Sequence, residues 1–114
     1  MLRRITLAAA ILLAAGASPV LAQSCDTRFT VVNQSQVTIN EFYFSPSSSG
    51  GWGNDRFGNG VLPGGRELAM DAGAPGAHDF KAVAANGSAL ELRNVDICRI
   101  SRVIINPVGV FLAE

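Results

Sequence analysis

The chain has 114 residues, with nine lysines and arginines against nine aspartates and glutamates, and 48% of its residues are hydrophobic. This length gives room for a single domain with one small core. The basic residues form no run or stripe, which argues against nucleic acid as a partner and against a polybasic membrane-binding patch.

Residues 1–22 have the pattern of a secretory signal peptide. Arg3 and Arg4 give a positive start, residues 5–16 are apolar or small, and Val20-Leu21-Ala22 fits a signal peptidase site. The sequence therefore predicts a signal peptide over 1–22 and a single domain over 23–114 in the bacterial periplasm or outside the cell. The predicted mature chain carries seven basic and nine acidic residues, a net charge of −2.

Two other interpretations of this segment fit less well. A membrane anchor needs roughly twenty apolar residues, so we expect no anchor after cleavage. Cys25 lies two residues too late for lipidation. The general secretory route is favoured over the twin-arginine route, because the residues around Arg3 and Arg4 differ from the usual twin-arginine pattern.

Cys25 and Cys98 are the two cysteines. In an exported chain they predict one disulfide bond. Closing so long a loop contributes about 4 kcal/mol in the chain-entropy model, which is comparable with the net stability of a small domain. Two free thiols or an intermolecular pair are the alternatives.

The first two predicted strands cover residues 27–32 and 37–44, which are rich in β-branched and aromatic residues. Asn33-Gln34-Ser35 has turn composition, so the two strands are predicted to form a hairpin. The apolar alternation of the second strand breaks at Asn40-Glu41, which indicates a β-bulge there. The bulge would bring four apolar side chains to one buried face: Val37, Ile39, Phe42 and Phe44.

A long loop follows over residues 45–65, rich in Ser, Gly and Asn but carrying Trp52 and Phe57. Loops of this kind are functional or packed by their own side chains. Burial is the commoner use of aromatics, so we predict that both rings plug the open end of the fold. In the alternative they form a ligand platform. The candidate binding surface on this loop consists of Ser45, Trp52, Asn54, Asp55 and Phe57.

The second half of the chain again alternates like strands. Residues 66–70 fit a strand or a helical turn, and 79–84 alternate cleanly. Asn86-Gly87 predicts a tight hairpin with a return strand over 88–93 that points Leu90 and Leu92 inward. The remaining expectations are a slip in alternation at Asn94 that turns Val95 and Ile97 inward, a strand over 100–105 closed by Pro107, and an edge strand over 108–112.

Short strands, regular turn signals and almost no helical periodicity predict an all-β fold. We expect a small antiparallel β-sandwich with one long Gly/Ser-rich loop. Immunoglobulin-like and jelly-roll-like topologies fit this pattern equally well.

Short phrases along residues 33–98 resemble a group of small exported bacterial proteins of unknown function. The phrases are Asn33, Ser45-Pro46, Trp52-Gly53-Asn54-Asp55, Leu62-Pro63-Gly64, Asp79-Phe80, Asn86-Gly87 and Asn94-Val95-Asp96-Ile97-Cys98. That group usually has a cysteine at the position of Ala77, so the resemblance implies that Cys25 replaces it as the partner of Cys98. The resemblance implies no activity, substrate or catalytic residue.

Sites for chemistry are few. His78 is the one histidine, and a hydrolase would have to pair it with Ser45 or Ser101; an exposed loop position for His78 is the expected alternative. Zinc lacks ligands. Calcium has weak candidates in Asp55, Asp79 and Asp96, at spacings that match no known calcium loop.

We therefore expect a non-enzymatic binding or interaction module of the cell envelope, without a cofactor. Its partner would be an envelope protein, a peptide or a glycan. A small secreted hydrolase that uses His78, or a calcium-stabilised module, is the alternative.

Overall fold

The computed structural model describes residues 25–106 and 110–114, so the predicted signal peptide lies outside the described residues, as do Pro107 and the first two residues of the predicted edge strand. Within the described residues there are seven strands and a short 3-10 turn, Ile97–Arg99. The strands are β1 (Arg28–Asn33), β2 (Ile39–Pro46), β3 (Glu67–Asp71), β4 (Ala77–Ala84), β5 (Ala89–Asp96), β6 (Arg102–Asn106) and β7 (Val110–Ala113). The predicted all-β sandwich is confirmed.

The strands form two sheets, ordered β3-β1-β6-β7 and β2-β4-β5. Strands β1 and β6 run parallel, and the other pairs are antiparallel. Residues 66–70 therefore lie mainly in a strand rather than a helical turn, and β7 adds the predicted edge strand. The core lies between the sheets, where Phe29 meets Phe44 and Phe80 edge to face, with ring centroids 5.3 and 5.6 Å away.

The predicted hairpin between the first two strands is wrong, because β1 and β2 belong to different sheets. Asn33 explains the crossing. Its fully buried side chain donates from Nδ2 to the carbonyl oxygens of Val37 (2.8 Å) and Leu62 (3.0 Å), and its Oδ1 accepts from the amide of Ser35 (3.1 Å). These bonds fix an arch from one sheet to the other, which a turn-like composition alone does not distinguish from a hairpin.

The predicted bulge in β2 is confirmed. The pairing with β4 shifts register between Ile39 and Glu41, which leaves Asn40 as the extra residue. Ile39, Phe42 and Phe44 are consequently all buried, and Val37 packs against the same core. Burial of aromatic surface is the largest contribution such a strand can make to stability.

The predicted hairpin at Asn86-Gly87 and the slip at Asn94 are also confirmed. Strands β4 and β5 pair across that turn, and their register shifts between His78 and Phe80. Asn94 is the one described non-glycine residue with a positive φ, 64°, as expected for a bulge residue. Beyond it Val95 packs against the core and Ile97 is fully buried.

The predicted disulfide bond between Cys25 and Cys98 is confirmed, with the two Cα atoms 5.4 Å apart and 73 residues between them in sequence. Cys25 precedes β1 of one sheet, and Cys98 lies in the 3-10 turn that follows β5 of the other. The bond therefore joins the ends of the two sheets and restricts the unfolded chain.

The long loop covers the free edge of β2, which pairs with β4 on its other side. Leu62 exchanges two 2.9 Å backbone hydrogen bonds with Ile39, while Asp55 Oδ1 accepts from the amide of Phe42 (3.0 Å) and Arg56 donates its amide to the Phe42 carbonyl (2.6 Å). An uncovered strand edge is an aggregation hazard. The loop from Asp55 to Leu62 thus has a structural purpose that its composition did not reveal.

We predict that Gly64→Ala strongly destabilises the fold. A Cβ at this position would lie 2.6 Å from the carbonyl oxygen of Ser35 and 2.8 Å from the Cα of Gln36, both backbone atoms. Moving the arch away should lower the free energy of unfolding by about 1–3 kcal/mol, measured by urea unfolding. Gly51→Ala is the matched control, since a Cβ there meets nothing within 4 Å; equal losses in both variants would contradict the steric account.

Candidate functional site

The candidate site lies on the outer face of the β2-β4-β5 sheet. Because Phe42, Phe44, Phe80 and Ala82 point into the core, strand alternation directs their neighbours outward. The outward set consists of Glu41, Tyr43, Ser45, Asp79, Lys81, Glu91 and Arg93. This face is therefore charged and aromatic where the opposite face of the same sheet is apolar.

Trp52 lies against this outer face rather than in the core. The guanidinium carbon of Arg93 is 4.7 Å from the centroid of the Trp52 ring, and the Lys81 ammonium is 6.0 Å from it. The ring is half-buried. Contacts between cations and an aromatic face are attractive in this geometry, so the two cations hold the ring beside the sheet.

The peptide bond before Trp52 is fixed by two serine hydroxyls. Ser45 Oγ donates to the carbonyl oxygen of Gly51 over 2.8 Å, and Ser49 Oγ donates to the same oxygen over 3.1 Å. Ser45 is itself buried in β2. The loop is thereby turned back over the sheet immediately before the aromatic ring.

The prediction that both aromatics are plugs is right for Phe57 and wrong for Trp52. Phe57 packs against the core and stacks on Phe42 at a centroid distance of 5.7 Å and an interplanar angle of 20°. Trp52 does not belong to the core cluster. The physical reason is that residues 55–62 are tied to the edge of β2, so only the part of the loop before them can cross to the outer face.

A cleft of about 190 Å³ opens between Trp52 and the sheet. One side is the loop after β2, and the other is the outward side of β4 and β5. Its lining residues are Ser45, Pro46, Ser47, Ser49, Gly50, Gly51, Trp52, Asp79 and Arg93. Polar groups converging beside one aromatic ring in a concave surface are typical of a binding site.

Asp79 is the buried carboxylate at the base of this cleft. Its Oδ1 accepts from Ser47 Oγ (2.7 Å) and from the amide of Asn94 (2.9 Å), and its Oδ2 accepts from Arg93 Nη1 (3.1 Å). The hydrogen bond from Ser47, assisted by the bonds from Asn94 and Arg93, holds the pKa of Asp79 below its ordinary value despite burial. Asp79 is therefore ionised at neutral pH.

Arg93 lies between two carboxylates. Besides Asp79 it binds Glu91, with Nη2 donating over 2.6 Å and Nε over 3.2 Å to Oε1, and these bonds raise its pKa, that to Glu91 most. The Arg93 side chain is 58% exposed, so these ion pairs add little stability. What they do is hold the guanidinium in one orientation against Trp52.

The structure brings together only part of the predicted surface. Ser45 and Trp52 line the cleft. Asn54 is exposed in the loop outside it, whereas Asp55 and Phe57 serve the fold, since Asp55 Oδ1 also accepts from the amide of Phe57 (3.0 Å).

The sequence interpretation missed the part of Ser47, Asp79 and Arg93 in this site. The signal that could have found them is the slip in alternation at Asn94. The bulge turns the Asn94 amide toward Asp79 and leaves Arg93 on the outer face, as bulges beside functional sites often do.

The expected exposed loop position of His78 is wrong. His78 lies in β4 and is 1% exposed, with Nδ1 3.0 Å from the carbonyl oxygen of Gly76. Its buried Nε2 has no hydrogen-bond partner in the described part of the chain, and no described hydrogen bond joins it to Ser45 or Ser101. Parity with Phe80 along β4 places the imidazole inside, where a base for an external substrate would be out of reach.

The weak calcium candidates lie apart, each with its own partners. Asp55 binds the edge of β2, Asp79 binds Arg93, and Asp96 accepts from the amide of Cys98 over 3.0 Å and pairs with Arg99 at 3.4 Å. Among residues 25–106 and 110–114, no group of three or more His, Cys, Asp or Glu residues could hold a metal ion.

Comparison with known proteins gives no match, whether with family models, with curated proteins or with solved structures. The described residues contain no helix that is both long and apolar enough to cross a membrane.

We predict that Trp52→Ala costs about 1 kcal/mol of unfolding free energy, because it removes only exposed contacts with cations. Phe57→Ala should cost about 3 kcal/mol, since it removes a ring packed on the core. Urea unfolding followed by circular dichroism measures both. A Trp52→Ala loss as large as that of Phe57→Ala would place Trp52 back among the core residues.

We predict that Ser47→Ala raises the pKa of Asp79, measured by NMR titration, because it removes the largest cause of the lowered value. A lowered folded pKa stabilises the protein above the ordinary value of 3.8, and this contribution disappears as the pH falls through the folded pKa. The stability gap between wild type and variant, about 1.5 kcal/mol at neutral pH, should therefore narrow in acid. Ser48→Ala, at an exposed neighbouring position, is the control and should leave the Asp79 titration unchanged.

Proposed function

We propose that this protein is a non-enzymatic binding module of the bacterial cell envelope, and that the cleft beside Trp52 is its binding site. The observation that carries the proposal is the position of Trp52. A large aromatic ring is held half-exposed outside the sheet, at the wall of a polar cleft, although the core of the same domain is built from aromatic rings.

The residue types around the cleft support this function. Trp, Tyr and Arg dominate the energetics of binding surfaces, and Tyr43, Trp52 and Arg93 lie on one face. Tyr43 is held by a hydrogen bond to Glu41, which raises the pKa of Tyr43 to about 12. Arg93 is oriented by Asp79 and Glu91. Groups fixed before a ligand arrives lose less entropy on binding.

An extracytoplasmic location is part of the proposal. The disulfide bond between Cys25 and Cys98 supports it, because such bonds persist in oxidising compartments. The signal-like pattern of residues 1–22 and the resemblance to small exported bacterial proteins are consistent with it. We propose the periplasm or the exterior as the site of action.

Binding is favoured over hydrolysis by the state of the polar groups. Ser45, Ser47 and Ser49 all donate their hydroxyl protons to oxygens of the protein, and His78 is buried. A serine nucleophile needs a base within hydrogen-bond reach. The groups around the cleft therefore support recognition better than proton transfer.

The test uses Trp52 itself, since it is the one tryptophan of the chain. We expect a fraction of bacterial envelope extract, separated into protein, peptide and glycan pools, to shift the fluorescence of the purified exported protein saturably. The same pool should be retained on a column of immobilised wild type and not on Trp52→Ala. Arg99→Gln, at an exposed site on the 3-10 turn, is the control that should retain it. If no pool shifts the emission, the proposed function is wrong.

A further inference from the structure

We infer that the ligand of the cleft is a neutral, hydroxyl-rich ring, a sugar unit of a glycan. This inference rests on the proposed function and adds the chemical class of the ligand. It follows from the hydrogen-bonding capacity left free in the cleft, from its balance of charge and from its aromatic wall.

The serine hydroxyls offer acceptors rather than donors. Each hydroxyl has one proton, and the partners of Ser45, Ser47 and Ser49 are the Gly51 carbonyl and the ionised Asp79, which only accept. Their own oxygen lone pairs remain for a ligand. A ligand must therefore bring several donors to this side of the cleft.

Arg93 offers donors on the other side. A guanidinium has five N–H groups, and the bonds to Asp79 and Glu91 use one each from Nη1, Nη2 and Nε. One N–H on each of Nη1 and Nη2 is left, on a side chain that lines the cleft and is 58% exposed. The ligand must accept here while it donates to the serines, which neighbouring hydroxyl groups of a sugar do.

The charges near the cleft disfavour ionic ligands. Arg93 is already compensated by Asp79 and Glu91, so an anion at its free N–H groups would also face two carboxylates. A cation would meet Arg93 and Lys81, and Lys81 has no ion pair within the described residues, so its charge is uncompensated. The two acidic and two basic groups balance, which favours a neutral ligand.

Trp52 and the size of the cleft limit the shape of the ligand. The cleft, about 190 Å³, is smaller than the roughly 300–1,000 Å³ of pockets for drug-sized molecules. It would hold one ring of a longer chain. The partly open indole provides an apolar face on which the C–H face of a sugar ring can pack while its edge hydroxyls meet Ser47 and Arg93.

The test is titration of the purified exported protein with defined oligosaccharides, followed by Trp52 fluorescence and calorimetry. The probes are neutral oligomers of glucose, mannose, galactose and N-acetylglucosamine, with uronic acid oligomers as the anionic series. We expect at least one neutral series to bind with an affinity insensitive to salt, because no ion pair forms.

Two variants test the assignment of Arg93. Arg93→Gln should weaken binding about tenfold or more, since hydrogen bonds to a charged donor are lost, while Arg99→Gln should bind like wild type. Arg93→Lys keeps the charge but loses the two-pronged donor set, so it should also bind weakly; it replaces Arg93→Gln if the latter is unfolded by circular dichroism. Wild-type binding by Arg93→Lys would refute the role of the paired donors.

The outcomes separate this inference from the proposed function. Salt-sensitive binding of uronic acid oligomers alone, or an envelope protein or peptide that shifts Trp52 while no neutral sugar does, would overturn the inference and leave the binding site in place. If neither the envelope pools nor the oligosaccharides affect Trp52, both fail.

Discussion

The free edge of β2 is the constraint on which the rest of the structure depends. This strand carries Phe42 and Phe44 into the core, so it must lie at the side of a sheet with its outer hydrogen-bonding groups unpaired. The chain satisfies them with Leu62, Asp55 and Arg56 of the following loop. Arg56 also donates to the Phe44 carbonyl over 2.8 Å and places its guanidinium carbon 4.1 Å from the Phe44 ring centroid.

Covering that edge determines where Trp52 goes. The loop must leave β2 at Pro46, turn, and return along the strand, and the serine bonds to Gly51 direct the turn over the outer face. The bulge at Asn94 adjusts β5 on the same face and gives Asp79 an amide partner. The cleft is thus a consequence of two structural solutions, an edge cover and a bulge, that meet beside one aromatic ring.

Features that depend on short-range pattern could be predicted from the sequence. Side-chain alternation located both bulges, Asn86-Gly87 located the β4-β5 hairpin, and the pair of cysteines located the disulfide. The crossing after Asn33 could not be predicted, because it depends on hydrogen bonds to Leu62, which is distant in sequence. Trp52 and Phe57 looked alike for a similar reason: only the contacts of the intervening residues with β2 send one ring outward and the other inward.

The central claim is that Trp52 stands outside the core at the wall of an accessible cleft. Quenching of its fluorescence by neutral acrylamide in the ligand-free protein tests this most directly, since no other tryptophan contributes. The account predicts long-wavelength emission that acrylamide quenches readily in the folded state, and protection from quenching when a ligand fills the cleft. Short-wavelength emission that resists acrylamide until the protein unfolds would contradict it.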